Sequence, residues 1–551
     1  MDYEDLLEKT GFRFYFEELK QRFKNKRILI YGAGEFFKYL YNNYDFSGIN
    51  IIGISDKFFE TSSETYFENI PIIRFSDIKK QKPDCVLMSI LNWQKILLIN
   101  YQQNVFSKNT KVLPIYRESL FDTNLSKMIE NIFYSFPNYM TFRLLLNLQK
   151  HREEKAYIQI LQNYKKVKKR LRKNNKKIRV GFLCFDSARW KNQSLYDLLD
   201  KDNMFEPIIL FTRLYTDKQI RIQTESEFWD SYNFFKNKGM NIELAYNIET
   251  NTYLDLKTFS PDYVFYQLPF YCHPIQAPDI VSHFALTAYV PYYTGTSLCE
   301  TSKDLDFRAK LSHYYLADDG LKEYYQPLMR NKGKNISVVG HPALDSYYHT
   351  PYCDKKDNNT FQVLYSPHHS IEENSPIHLS TFLENGEFIL NYAKKHSDIK
   401  WVFRPHPLLK KVLETVWDKN KIDEYYKTWE DIGILDEGGD YIEIFKDTDL
   451  LINDCGYFSE FFPTGNPIIQ LINPKACQYD KISTEIIDSC YTSHNNEELL
   501  YLMNLLIEQR EDTKKTTRLE VIKHLNLKSI FAAQNILDNI KEDLKFTILK
   551  G

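Results

Sequence analysis

Two short loops in the C-terminal third of the chain concentrate side chains able to handle a phosphate. One reads YSPHHS from Tyr365 to Ser370, and the other is the FRPHP of Phe403 to Pro407. In the second, Arg404 and His406 leave an apolar, strand-like run, and Pro405 and Pro407 stiffen the backbone that carries them. A guanidinium offers a fork of N–H donors matched to phosphate oxygens, and an imidazole beside it can donate another bond or exchange a proton. The alternative is a rigid, solvated turn. In the first loop Tyr365 closes a strand, Ser366 opens the loop, and His368 and His369 follow. These histidines could contact phosphate, cap a helix or face solvent, and no third ligand at fixed spacing makes them a metal site. A third loop, DCGYFSEFF, brings Asp454, Gly456 and Ser459 to the opening of a helix. Backbone N–H groups there could receive a diphosphate, although an ordinary N-cap explains Ser459 equally well.

Other polar loops lie upstream: His273 in FYCHPIQ, Thr294, Gly295, Thr296 and Ser297 in VPYYTGTS, and His341 and Asp345 in GHPALDSY. Any of the histidines could serve as a general base if it approached an acceptor hydroxyl, which spacing does not establish. For His273 a structural role is an equal reading. No closely spaced carboxylate pair specifies a metal, although Asp454 leaves room for one.

A separate motif opens the chain. The apolar run RILIY ends at Gly32, Ala33 and Gly34 and is followed by the helical pattern EFFKYLYNNY. Asp56 ends the next apolar run, about where a Rossmann unit places the carboxylate that holds a ribose, ~20 residues on. The first glycine permits the turn and the second lets backbone approach a phosphate. Phe37 stands where the fingerprint has its third small residue. A bound nucleotide, cofactor or nucleotide sugar and a plain scaffold both remain open, as do a second ligand site and a docking role for this unit.

Such loops need parallel strands to position them. Apolar runs at Arg27 to Tyr31, Ile51 to Ile54, Cys85 to Ile90 and Lys111 to Ile115 predict a first α/β unit. A second series begins at Ile178 and continues at Phe205 to Phe211, Tyr263 to Gln267 and Ala288 to Tyr292; a third runs through Phe361 to Tyr365, Trp401 to Arg404, Leu450 to Ile452 and Ile468 to Leu471. A continuous helical pattern from Asn131 to Asn163 bridges the first two series, and charged and apolar residues alternate at helical spacing from Asn495 to Lys545. The expected organisation is therefore α/β throughout. A Rossmann-like domain fills 1–125 and a helical, basic linker 126–177. One doubly wound half at 178–350 and another at 351–551 then face a cleft. At 551 residues the chain exceeds the ~250 to 300 at which single cores stop growing, so several domains are required.

Composition narrows the function classes. A net charge of -2 gives no general attraction to a polyanion, which argues against nucleic acid. The block KKVKKRLRKNNKKIR from Lys165 to Arg179 is locally cationic and reads as an interdomain helix, or as a surface for anionic lipid or polymer. The 40 tyrosines and 38 phenylalanines are spread throughout, which points to aromatic-rich cores rather than one binding platform. Eight cysteines without a CxxC pair suit a reducing compartment, and neither a secretion signal nor a run of ~18 apolar residues is present. A cytoplasmic protein is expected, with any membrane role peripheral at the inner face.

Taken together, the loops of residues 178 to 510 resemble the CDP-glycerol glycerophosphotransferase family of teichoic-acid and capsule biosynthesis. YSPHHS is similar to its strand-end Tyr-Ala-Pro loop, FRPHP to its Arg-x-His motif, and GHPALD to its Gly-x-Pro-x-x-Asp turn. DTDLLINDCGYFSEFFPTGNPIIQLINP is similar to its Ser-Asp-x-Leu-Ile-Thr-Asp-Tyr-Ser-Ser segment followed by Lys-Pro-x-Ile. The resemblance implies two Rossmann-like halves in a GT-B arrangement and metal-independent transfer of glycerol phosphate, or a related phospho group, from a CDP-linked donor. The acceptor would be a hydroxyl of a capsule or lipid-linked, teichoic-acid-like glycan, with no cofactor required. It places Arg404, His406, Tyr365, Ser366, His369, Asp454, Gly456 and Ser459 around the donor.

One departure concerns the base. Thr294 stands where the family's His-Gly-Thr-Pro turn has its histidine, and threonine cannot abstract a proton near neutral pH. His273 or His368 would have to serve instead, beside Arg404 and His406 as the catalytic set. A GT-B glycosyltransferase using a nucleotide sugar and a noncatalytic nucleotide-binding assembly protein are the competing readings, and a homo-oligomer fits any of them.

Overall fold

The computed structural model of the 551-residue chain describes all residues except 1–2, 10–11, 91–95, 98, 101–104, 107–109, 117–130, 136, 174–175, 216–222, 270–271, 295–301, 350–359, 373–376, 437–440 and 546–551. The chain divides into two compact units, Met1–Ile158 and Gln159–Thr216 with Ile222–Gly551.

The first unit holds a parallel sheet of strands β1 (Arg27–Tyr31), β2 (Asn50–Ser55), β3 (Cys85–Met88) and β4 (Val112–Pro114), in the order β2-β1-β3-β4. All four strands fall on the expected apolar runs. The order is that of a flavodoxin-like sheet, in which the direction of strand addition reverses between β1 and β3. Gly32 follows β1 at φ +109°, and a Cβ there would lie 2.5 Å from Ile90 Cγ1 and 3.0 Å from Ser89 Oγ. Gly34 has an ordinary φ of −73° and nothing within 4 Å of its Cβ direction. Gly32→Ala is therefore expected to destabilise the unit by about 1–3 kcal/mol and Gly34→Ala by less than about 1 kcal/mol. Urea unfolding, with hydrogen exchange reporting on β1, checks the contrast.

The second unit carries two larger sheets. The first contains β5 (Ile178–Cys184), β6 (Phe205–Phe211), β7 (Ile242–Leu244), β8 (Tyr263–Tyr266), β9 (Leu286–Tyr289), β10 (His313–Leu316) and β11 (Ile336–Val338), ordered β11-β10-β9-β8-β5-β6-β7. The second contains β12 (Gln362–Ser366), β13 (Lys400–Phe403), β14 (Ile434–Leu435), β15 (Leu450–Asn453), β16 (Ile468–Leu471) and β17 (Tyr491–Ser493), ordered β14-β13-β12-β15-β16-β17. Every pairing in both is parallel. Each therefore repeats the doubly wound 3-2-1-4-5-6 order, and these are the two Rossmann-like halves of the expected fold. Strands buried on both faces read as continuous apolar runs. Along β5, Val180, Phe182 and Cys184 enter one core and Leu183 the other, as the two-residue side-chain period requires.

The C-terminal helices divide between the halves. Arg518, on helix Lys515–His524, donates to the carbonyl of Gly465 in the second half. Helix Ala532–Leu544 instead returns to the first, where Ala533, Ile536, Leu537 and Ile540 complete its core. Asp345 accepts from the N–H groups of Ala532 (2.7 Å) and Ala533 (2.9 Å) at the start of that helix, so its role is a cap.

The bridging helix differs from the expected pattern. Pro137 interrupts it, and the main helix runs Tyr139–Leu171 with Ile160, Tyr164, Val167 and Leu171 in the first-half core. Three cations of the block are paired: Lys168 with Asp543 (2.6 Å), Arg170 with Asp262 (3.0 Å) and Arg179 with Glu206 (2.7 Å). Among the described residues no helix is long and apolar enough to cross a membrane.

Candidate functional site

In the second half the strand order reverses between β12 and β15, and that crevice is where doubly wound sheets place ligands. YSPHHS leaves the end of β12, and the loop from Asp454 leaves the end of β15. Asp454 binds the two loops together. One carboxylate oxygen accepts from the N–H of His368 at 2.6 Å, and the other accepts from the N–H (2.6 Å) and hydroxyl (3.1 Å) of Thr381. It is wholly buried, a staple rather than an open donor ligand.

The FRPHP loop is attached to the same place. The N–H of Arg404 donates to the Tyr365 carbonyl (2.9 Å), the Ser366 hydroxyl donates to the Arg404 carbonyl (2.8 Å), and the N–H of His406 donates to the Pro367 carbonyl (2.9 Å). Three imidazoles converge as a result. Ring centroids lie 4.3 Å apart for His368 and His369, 5.0 Å for His368 and His406, and 4.0 Å for His369 and His406. One nitrogen from each falls within 4.8 Å of the others.

That spacing suits a cation or an anion, and the protonation pattern separates them. Nδ1 of His406 accepts from the N–H of Leu408 at 3.1 Å, and Nδ1 of His368 from the N–H of Ser370 at 3.2 Å. A nitrogen that accepts is unprotonated, so in the neutral ring Nε2 carries the proton. In that tautomer Nε2–H is a donor to an anion, whereas a metal would require Nδ1 to take the proton instead. For the same reason His368 is not set up as a base. Nδ1 of His273 likewise accepts from the N–H of Ile275 (3.3 Å), and its ring stacks on Tyr253 at 4.3 Å. Burial holds its basicity below the usual histidine range. Nδ1 of His341 accepts from the N–H of Ala343, its Nε2 bonds the Pro291 carbonyl at 2.8 Å, and burial pushes its pKa down to about 4. It is structural.

Other expected residues move from ligand to support. Tyr365 is the penultimate residue of β12, so its ring points onto the sheet and packs 5.6 Å from Phe403 instead of facing the loop. Ser459 lies on helix Tyr457–Phe461, whose N-cap is Gly456; this helix is too short for a strong N-terminal field. The Ser459 hydroxyl donates to the Gly456 carbonyl (2.9 Å) and touches the Thr294 hydroxyl. Gly295, Thr296 and Ser297 lie outside the described residues. In the first unit, one oxygen of Asp56 accepts from the N–H of Ala33 (2.8 Å) and the other from that of Phe58 (3.0 Å), so the carboxylate occupies the glycine turn itself. Phe37 is fully buried among Tyr41, Phe46 and Phe67.

Arg404 is only 3% exposed and forms an ion pair with Asp436. Desolvation opposes its charge, but Tyr457 and Asp436 outweigh it and raise its pKa. It supplies a fixed positive charge rather than a free fork. Its guanidinium carbon lies 5.4 Å from the Tyr441 ring centre, and Lys191 Nζ lies 4.3 Å from the same centre. Lys191, from the loop after β5 in the first half, donates to Glu460 at 2.9 and 3.1 Å, and the Tyr441 hydroxyl donates to Glu460 as well. The chain Lys191, Glu460, Tyr441, Arg404 and Asp436 thus joins the halves at the site. Sequence reasoning missed all of it except Arg404.

Burial raises Asp454 to about 7 against the N–H groups of Thr381 and His368, which favour its anion. Because the folded pKa lies above the ordinary 3.8, its contribution to stability is complete below about pH 4 and is lost as pH rises through 7. Asp454→Asn should remove that slope between about pH 4 and 7, read from urea midpoints, while destabilising the loops at every pH.

No protein-family model and no curated protein matches the chain. Among solved structures, the chain is similar to UDP-GlcNAc 2-epimerase from Neisseria meningitidis bound to UDP-GlcNAc, with 13% identity, TM-score 0.42, and coverage of 67% of this chain and 99% of that one. It is also similar to a substituted wall teichoic acid polymerase TagF soaked with CDPG (12%, TM-score 0.43, 72% and 98%). A third is HepE from Anabaena in complex with UDP-glucose (12%, TM-score 0.39, 67% and 99%).

Proposed function

We propose that the chain transfers glycerol phosphate, or a related phospho group, from a CDP-linked donor to a hydroxyl of a capsule or teichoic-acid-like glycan. The observation that supports this most is the cluster of His368, His369 and His406 at the switch point, with Nε2–H of His368 and His406 fixed as donors by backbone N–H groups. The family resemblance of the loops supplies the CDP donor and the acceptor class.

In the proposed reaction the acceptor oxygen attacks the phosphorus bearing the alcohol, the bond from that phosphorus to the bridging oxygen breaks, and CMP leaves with the bonding pair. Negative charge grows on the bridging and non-bridging oxygens, where imidazole N–H donors and the fixed charge of Arg404 stabilise it. The acceptor proton must pass to a base other than His273 or His368, since both present a protonated nitrogen.

Calorimetric titration with CDP-glycerol, CDP, a UDP-sugar and GDP tests the reading. CDP species should bind preferentially, and His406→Ala should weaken that binding. Preference for a UDP-sugar would turn the proposal to a glycosyltransferase, and no binding by folded protein to an assembly role.

A further inference from the structure

A cavity lies in the second half, beside the histidine cluster. It encloses about 640 Å3, within the ~300–1,000 Å3 usual for small-molecule sites, and is bounded by the loops after β12, β16 and β17 and the start of helix Phe382–Lys395. Two carboxamides lie on its wall. Asn385 is only 7% exposed and lines the cavity. Asn496 donates to the Glu384 carbonyl at 3.2 Å, but its Oδ1 is buried without a donor. A buried polar group left unsatisfied costs ~1–3 kcal/mol, so this oxygen on a cavity wall points to a ligand that satisfies it.

The rest of the lining limits what that ligand is. The lining carries Glu372 and Glu384 with Lys475, His378 and His494, so with the imidazoles counted neutral it has no positive excess to hold a phosphodiester or nucleotide. Ile371, Leu383, Ile472 and Pro474 provide apolar surface between the polar groups. Amide donors and acceptors interleaved with apolar patches match a neutral, hydroxyl-rich ring with C–H faces.

We infer that this cavity is a saccharide subsite. It shares a wall with the histidine cluster: Ser370 lines the cavity while its hydroxyl bonds Nδ1 of His368 at 2.9 Å, and Thr381 lines it while bonded to Asp454. A sugar held there sits one residue layer from the phosphate donors. Its assignment as part of the acceptor rests on the transferase reading; saccharide binding itself does not.

The test is a glycan array carrying neutral and phosphodiester-linked oligosaccharides, probed with full-length protein, Asn385→Leu and Asn496→Ala. The wild type is expected to retain at least one neutral oligosaccharide, and each variant to bind it at least tenfold more weakly while keeping its melting temperature. Absence of any neutral ligand, binding confined to phosphodiester-linked glycans, or undiminished binding by both folded variants overturns the inference. Asn496→Ala, at the first turn of an exposed helix face, decides the matter if Asn385→Leu does not fold. CDP titration on the same samples separates the two readings. Glycan binding without CDP binding keeps the subsite and removes the donor assignment, and the converse result does the opposite.

Discussion

Replacing Lys191 by methionine is expected to destabilise the second unit by about 3–5 kcal/mol, read from urea unfolding, because it strands the Glu460 carboxylate without its cation. The side chains of Lys191 and Glu460 are only 5% and 4% exposed, so water cannot take over the lost contact. The double variant Lys191→Met with Glu460→Gln removes both charges and leaves an amide oxygen for the Tyr441 hydroxyl. It should recover at least half of the loss. A single-variant cost under about 1 kcal/mol would mean that the pair is solvated in solution and that the two halves part there. The effect should also reach the donor site: Tyr441, which lies between Lys191 and Arg404, loses one of the groups that fix its hydroxyl.

His406→Ala is expected to weaken CDP-glycerol binding by roughly 10- to 150-fold in calorimetry, the equivalent of one hydrogen bond to a charged group at ~1.5–3 kcal/mol. The variant gives up the bond from the Leu408 N–H to Nδ1, and its melting temperature measures that structural share. Zinc provides a control on the tautomer. With Nε2 protonated on His368 and His406, added Zn2+ should leave the melting temperature of the wild type unchanged. A zinc-dependent rise abolished by His406→Ala would show that the rings present lone pairs and that the site holds a cation.

The sequence patterns located the long central strands but not the short outer ones. β6 and β16 coincide with their apolar runs, while β9 begins two residues before the expected Ala288. β7, β14 and β17 escaped notice because two or three residues at a sheet edge carry no periodicity to read. β10 begins at His313, whose ring bonds Asp543 at 2.7 Å, so a polar residue opens a buried strand only because the distant C-terminal helix supplies its partner.

The site divides in the same way. Local motifs brought out His368, His369 and His406, which the structure draws together, because the loops at strand ends are themselves local. Their partners were not legible: Asp436 is 32 residues from Arg404, and Glu460 is 269 from Lys191. Nor could spacing reveal that Tyr365 turns into the core or that Asp454 is a staple. Both depend on which face of a strand and which neighbouring loop the side chain meets.

The return of helix Ala532–Leu544 to the first half bears on biosynthesis. That half cannot complete its hydrophobic core, or pair His313 with Asp543, until nearly the whole chain has been made. At ~5–20 residues per second the ribosome needs on the order of ten seconds or more to pass from the first half's last strand to this helix. During that interval the apolar face awaiting Ile536 and Ile540 is open to chaperones or to neighbouring nascent chains. A stop codon just before Ala532 would therefore damage the first half, although the second half lies between the two in sequence.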